Sequence, residues 1–189
     1  MISLLLLTGL FVTQSHGQHA ALKSNLAMDA LASVNAGVEL GLSRRVTLDL
    51  SGQYNGWTVR GYKWKHWLAQ PEARYWFCDR FSGHFLGLHA LGGQYNVGHI
   101  PNHVRFLGSD FGRLSDHRVQ GWAAGGGLSY GYAWVLGRHW NFEAELGVGY
   151  AYTRYDVFEC AGCGRRTSSD RAHHYVGPTK AALSLVYVF

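Results

Sequence analysis

The sequence predicts an all-β fold, an eight-stranded antiparallel transmembrane β-barrel with short periplasmic turns and longer outer loops. Three observations predict it. Beyond the first 20 residues, apolar and polar side chains alternate in runs of about ten, and alternation is the period of a pleated strand. Charged residues make up only 15% and aromatics reach 14%, whereas ordinary soluble domains carry about 25% charged residues. Because the mean hydropathy is nevertheless only -0.11, the apolar residues must be confined to one face. Finally, the links between runs alternate between short and long, as in bacterial barrels.

Residues 1–17, MISLLLLTGLFVTQSHG, hold an apolar run from Ile2 to Val12 and then small and polar residues. This is the shape of a secretory signal. A membrane helix needs about 20 apolar residues, so the run is too short to span a bilayer, and no later stretch is long enough. Residues 1–17 are therefore read as an export signal and 18–189 as one barrel domain. An exported chain without membrane helices can enter a membrane only as strands.

Eight runs follow. The first covers about Ala21 to Met28. The second, Ala36 to Leu42, sets Ala36, Val38, Leu40 and Leu42 against Gly37, Glu39 and Gly41. The third sets Val46, Leu48 and Leu50 against Thr47, Asp49, Ser51 and Gln53. In the fourth, about His66 to Phe77, Ala69, Pro71, Ala73, Tyr75 and Phe77 oppose Gln70, Glu72, Arg74 and Trp76, and Pro71 removes one ladder donor. The fifth, about His84 to Tyr95, turns Leu86, Leu88 and Ala90 outward. The sixth, about Val119 to Trp134, does the same with Trp122, Ala124, Leu128, Tyr130, Tyr132 and Trp134. The seventh is the cleanest: Trp140, Phe142, Ala144, Leu146, Val148, Tyr150 and Tyr152 alternate with Asn141, Glu143, Glu145, Gly147 and Gly149. The eighth ends at Phe189, with Leu183, Leu185 and Tyr187 in register before it.

The segments Ser43 to Arg45, Cys78 to Gly83 and Gly137 to His139 are short links, whereas Asn55 to Lys65, Asn96 to Arg118 and Asp156 to His174 are long. Leu31 to Asn35 is a short first outer link. An even strand number lets the sheet close and removes its exposed edges.

Alternation also fits a soluble lipocalin-like barrel with its apolar face inward. Three features favour the opposite orientation. Trp and Tyr gather near strand ends while aliphatics and Gly sit mid-strand, as two interfacial girdles require. The polar face carries Glu39, Asp49, Glu72, Arg74, Glu143, Glu145 and Lys180 with Gly between them, which suits paired charges filling a narrow interior. The terminal series Leu183, Leu185, Tyr187 and Phe189 resembles the signal that the bacterial barrel-assembly machinery reads in an incoming last strand.

The stretches ALKSN (Ala21 to Asn25), VTLDLSGQYN (Val46 to Asn55), WKHWLAQPEARYWFC (Trp64 to Cys78), GHFLGLHALGGQYNVG (Gly83 to Gly98) and GPTKAALSLVYVF (Gly177 to Phe189) resemble a Bacteroidetes family of outer-membrane barrels classed as a domain of unknown function. The resemblance covers nearly all of residues 18–189. It implies a bacterial outer-membrane location, sometimes beside fimbrial genes, and no known activity. More distantly, the plan is similar to the OmpA-type membrane domain.

Several groups are candidates for chemistry. Cys160 and Cys163, followed by His173 and His174, fall on the last outer link; their spacing suits a disulfide staple first, then ligands of a tetrahedral zinc ion or free thiols. Cys78 is expected as a lone thiol. A cation excess on the outer links makes Arg105, Arg113, Arg165 and Arg166 candidates for lipopolysaccharide phosphate, which guanidinium groups hold by paired contacts. The rival class is a lipid A-modifying enzyme at the outer rim, with His103, His117, Ser109, Asp110 and Asp116 as its residues. Their order matches no nucleophile motif.

The reading is therefore a non-enzymatic outer-membrane barrel with a structural, adhesive or surface-assembly role. It is expected to need no cofactor and to bind no nucleic acid. Expected partners are outer-membrane lipid and lipopolysaccharide, the barrel-assembly machinery and surface or fimbrial proteins.

Overall fold

The computed structural model describes the backbone of residues 19–59, 62–98, 105–106, 109–110, 118–159 and 166–189, and their side chains except at 58–59, 62–64, 105–106, 109–110 and 166–169. Eight strands make the ring: β1 (Ala20–Asn25), β2 (Val34–Gly41), β3 (Val46–Asn55), β4 (Tyr62–Trp76), β5 (Gly83–Gly98), β6 (Arg118–Val135), β7 (Trp140–Phe158) and β8 (Arg166–Val188). Each is antiparallel to its sequence neighbour, and β8 returns to pair with β1 from Ala21↔Val188 to Asn25↔Ser184. The ring thus closes strand on strand, with the Phe189 N–H donating to the Ala20 carbonyl at 2.9 Å. Two minor ladders, Thr58–Val59 against β4 and Arg105–Phe106 against Ser109–Asp110, lie outside the ring order.

The first strand ends earlier than its alternation predicts. Residues Leu26–Ala30 form a short helix, α1, rather than continuing to Met28 as strand. LAMDA consists largely of good helix formers, and the Asn25 side chain caps the turn by accepting from the Ala27 N–H at 3.1 Å. Met28 and Asp29 carbonyls accept from the Leu31, Ala32 and Ser33 amides, so the predicted short outer link is a capped helical turn.

The long links are shorter than predicted because the strands run on. β4 begins at Tyr62 and β7 reaches Phe158, while β8 starts at Arg166, where the sequence suggested loop as far as His174. The stretch RTSSDRAHHYVGPTKAA lacks clear alternation. It is held as a strand by its pairing to β7, from Phe158↔Arg166 to Tyr152↔His174 and beyond.

Pro71 behaves as expected. It pairs with Leu50 on the β3 side, while pairing to β5 pauses after Ala69↔Gly92 and resumes at Glu72↔His89. A second irregularity, not foreseen, lies where Gly147 pairs with Lys180 but Val148 with Pro178. Thr179 is the extra residue of a bulge, which lets two consecutive side chains turn to the same side of the sheet.

Orientation is the main result of the fold. Leu88, Leu128, Leu146 and Val148 are 63–70% exposed on the outer face, in a band continued by Leu40, Leu50 and Leu86. Aromatic clusters border that band. At the short-link end the Tyr132 and Trp134 rings lie tilted 4.7 Å apart, and Trp140 meets Tyr187 edge-on at 5.0 Å, with Phe189 beyond. Nearer the long links, Trp122 and Tyr152 lie 5.8 Å apart. Glu39, Asp49, Glu72, Arg74, Glu143 and Glu145 are buried inside the ring.

The interior is not wholly polar. Trp76, Phe81, Phe85, Val186 and Val188 form a buried apolar plug at the short-link end, with Trp76 and Phe85 rings 4.7 Å apart. Gly131 makes room for it, since a Cβ there would sit 2.3 Å from the Phe85 ring.

Candidate functional site

Directly above the plug lies a layer of charge. Arg74 sits at its centre, with the guanidinium carbon 4.5 Å from the Phe85 ring centroid. Its Nε donates to Glu72 at 2.7 Å, Nη1 to Glu39 at 2.9 Å and Glu143 at 3.1 Å, and Nη2 to Glu145 at 2.7 Å. Asp49 Oδ2 lies 3.0 Å from Nη2. One planar fork therefore joins side chains from β2, β3, β4 and β7, a task that five fixed donors make possible.

Two lysines complete the layer. Lys180 donates to Glu72 at 2.5 Å and lies 3.3 Å from Glu145. Lys23 donates to Glu143 at 2.7 Å and also pairs with Glu39 and, at 3.3 Å, Asp49. Below, the Trp76 indole N–H donates to Thr47 at 2.9 Å, and Thr47 in turn donates to Glu39. Plug and ionic layer are thus bonded to each other.

All seven residues predicted for the interior network, Glu39, Asp49, Glu72, Arg74, Glu143, Glu145 and Lys180, meet in this layer. Sequence reasoning placed Thr47 on the polar face without naming it for the network and missed Lys23, His89 and Ser129; all four are buried. Lys23 alternates with Leu22 in ALKSN, so the same period could have found it. His89 owes its role to the Thr179 bulge, where its Nε2 lies 2.8 Å from the Thr179 hydroxyl while the next residue, Lys180, reaches Glu72. No local pattern announces that.

Counting described residues, five carboxylates face three cations, and Asp49 Oδ1 and Glu143 Oε1 have no hydrogen-bond partner. Asp49 also lines a small cavity of about 50 Å3 beside Lys23, Asn25, Asn35 and Gly37. A larger cavity of about 650 Å3 opens at the long-link end, where it touches strands β3 to β8, including Asn55, His66, Tyr95 and Tyr155. Tyr95 and Thr153 hydroxyls are bonded at 2.6 Å on its wall.

Other predicted residues fare differently. His173 and His174 are consecutive on β8 and so project to opposite faces; His174 Nδ1 bonds the Tyr150 hydroxyl at 2.5 Å. Cys160, Cys163, Arg113 and Arg165 lie outside the described residues, as do residues 1–17 and His103, Asp116 and His117. Arg105, Ser109, Asp110 and Arg166 are described in backbone only. Cys78 is an exposed free thiol. Leu183, Leu185 and Tyr187 occupy the closing seam of the ring, Tyr187 paired with Leu22 and Leu185 with Ser24, and Phe189 bonds Ala20.

Among the described residues no group of three His, Cys, Asp or Glu side chains is arranged to hold a metal ion, and no helix is long and apolar enough to cross a membrane. Compared with known families, residues 1–189 match one described as a protein of unknown function, DUF3575. No curated protein matches the sequence.

Proposed function

The chain belongs to the DUF3575 family, whose description assigns no activity, and on that premise we propose that it is a β-barrel of the bacterial outer membrane with a structural, adhesive or surface-assembly role. The observation that carries this reading is the inverted pattern of burial: Leu88, Leu128 and Leu146 face outward while Arg74 and its carboxylates are sealed within. In water such an arrangement would expose an apolar band far beyond what monomeric soluble proteins tolerate. In a bilayer the same band faces acyl chains, and a closed ring leaves few backbone groups unsatisfied.

The sequence resemblance supports a Bacteroidetes origin for this reading, in which the leader would direct export and the terminal Phe189 strand would engage the barrel-assembly machinery. The plug and ionic layer fill the bore, so the ring serves as an anchor for its outer links rather than as a pore. Outer-membrane lipid and lipopolysaccharide are the partners this placement supplies.

Fractionation of cells expressing the protein tests the proposal. The protein is expected in the outer-membrane fraction, with a band that migrates differently before and after boiling. Recovery in the soluble fraction without detergent would refute it.

A further inference from the structure

The short links carry an excess of positive charge. Arg44 and Arg45 lie on the β2–β3 link, Arg80 on the β4–β5 link and Arg138 on the β6–β7 link, all at one end of the ring. Their acidic counterparts there are Asp79 and a carboxylate at Phe189, so four cations meet two anions. Residues 1–18 contain no Asp or Glu to balance the difference.

Three of these arginines are built into one platform. The Arg80 N–H donates to the Arg44 carbonyl at 2.9 Å and the Trp76 N–H to the Arg45 carbonyl at 2.8 Å, which locks the first two short links together. Ser43 Oγ holds the tight turn by accepting from the Val46 N–H at 3.1 Å. Arg80 reaches across the end of β2. Its Nη1 donates to the Ser43 carbonyl at 3.1 Å, its Nη2 lies 3.2 Å from His19 Nδ1, and its stem passes Gly41, where a Cβ would stand 3.0 Å from Cδ. Arg44 Nε donates to Asp79 at 2.6 Å, and Arg45 and Arg80 also act on that carboxylate. Three guanidinium groups thus crowd one acid. Like charges gathered by the backbone attract a further anion. Arg80 supplies its charge from a fixed place, whereas Arg44, 84% exposed, and Arg45, also exposed, stand where a ligand can reach them.

The platform sits where the apolar band ends. Exposed Leu42 is two residues before Arg44, and exposed Phe77 is three before Arg80, with the Tyr75 ring beside it. Two or three residues of extended chain reach about 7–10 Å. Guanidinium groups so close to a girdle of exposed apolar side chains lie at headgroup depth, and their N–H donors match phosphate oxygens. A water-soluble acidic polymer would use the charge alone, whereas an anionic lipid uses the charge and the collar together.

We propose that the platform of Arg44, Arg45 and Arg80 binds an anionic phospholipid of the periplasmic leaflet, its phosphate held by Arg44 and Arg45 and its acyl chains lying against Leu42 and Phe77. Three arginines less one aspartate leave two positive charges, which favours a head with two phosphodiesters, as in cardiolipin, over a head with one. This rests on the membrane placement proposed above, which puts the short links on the periplasmic side.

Native mass spectrometry of the folded protein in detergent micelles, titrated with cardiolipin, phosphatidylglycerol or phosphatidylcholine of the same acyl chains, tests the site. Cardiolipin is expected to bind saturably and at least tenfold more tightly than phosphatidylcholine, with phosphatidylglycerol between them. Arg44→Gln combined with Arg45→Gln should weaken cardiolipin binding at least tenfold and leave phosphatidylcholine unchanged. Asp79→Asn should tighten cardiolipin binding at least threefold, a gain that damage to the fold cannot produce. In protein that keeps the heat-shifted gel band, equal affinity for the three lipids, unchanged cardiolipin binding by the double variant, or no tightening by Asp79→Asn would overturn the site and leave the membrane placement intact. A polyglutamate peptide that binds more tightly than cardiolipin, and is lost in the double variant, would assign the platform to an acidic polymer and also overturn it. Loss of the heat-shifted band in the parent would remove the membrane placement and the site together.

Discussion

Arg74 is where the interior succeeds or fails. Its three guanidinium nitrogens contact five carboxylates from four strands, and the side chain is 2% exposed. Removing one partner of a buried ion pair costs about 3–5 kcal/mol, because the remaining charge is left uncompensated. Arg74→Leu is therefore expected to lower the unfolding free energy by that order, read as a lower urea midpoint in detergent micelles; an unchanged midpoint would show that the carboxylates are not charged in the folded ring. Conductance is expected to stay unchanged, since the plug below remains. Gly87 is a second test, because a Cβ there would lie 2.2 Å from Ser129 Oγ and 2.3 Å from Glu72 Oε1. Gly87→Val should displace Glu72 and reduce the yield of folded protein, measured as the fraction showing the heat-shifted band. The turn pair Arg44–Asp79, at 2.6 Å, behaves differently. The bond from Arg44 holds the Asp79 carboxyl below its ordinary range. A lowered folded-state value gives stability that is present above the unfolded carboxylate range and is lost as pH falls through the lowered value. Both groups are exposed, and exposed pairs contribute little. Asp79→Asn should leave the thermal midpoint nearly unchanged at neutral pH.

At the scale of elements, what was legible followed from period two. β7 begins at Trp140 as predicted, and Glu143 and Glu145 face inward, because each strand in the middle of the wall has one apolar and one polar side. The period fails where the environment is the same on both sides. The upper half of β8 is mostly polar on both sides and forms a strand through its pairing with β7. In LAMDA, alternation coincides with helix propensity, and the cap at Asn25 decides between them. The plug was half legible: Trp76 read as inward, whereas Phe81 sits in a turn with φ 63° and has no period to betray it. The Thr179 bulge was invisible, since an inserted residue shows only when both strands are paired. Its deletion makes a sharp prediction. With Phe189 pinned to Ala20, a one-residue shift would turn the upper β8 side chains to the opposite faces. The deletion variant is expected to lose the heat-shifted band; retention with the same trypsin pattern would mean that the bulge is dispensable.

For the whole molecule, one inversion organises everything else: an apolar exterior, a plugged and ionised interior, and a wall closed by its two terminal strands. The short links, plug and ionic layer occupy one end, whereas the wide cavity and the longest strands occupy the other. The most direct test places nitroxide labels on single cysteines at Leu88 and Leu146, which face outward, and at Ser129, which faces inward, in lipid vesicles. Labels at 88 and 146 are predicted to collide with dissolved oxygen and not with a water-soluble nickel complex, while the label at 129 meets neither. Strong nickel collisions at 88 and 146 in the folded protein would contradict the account.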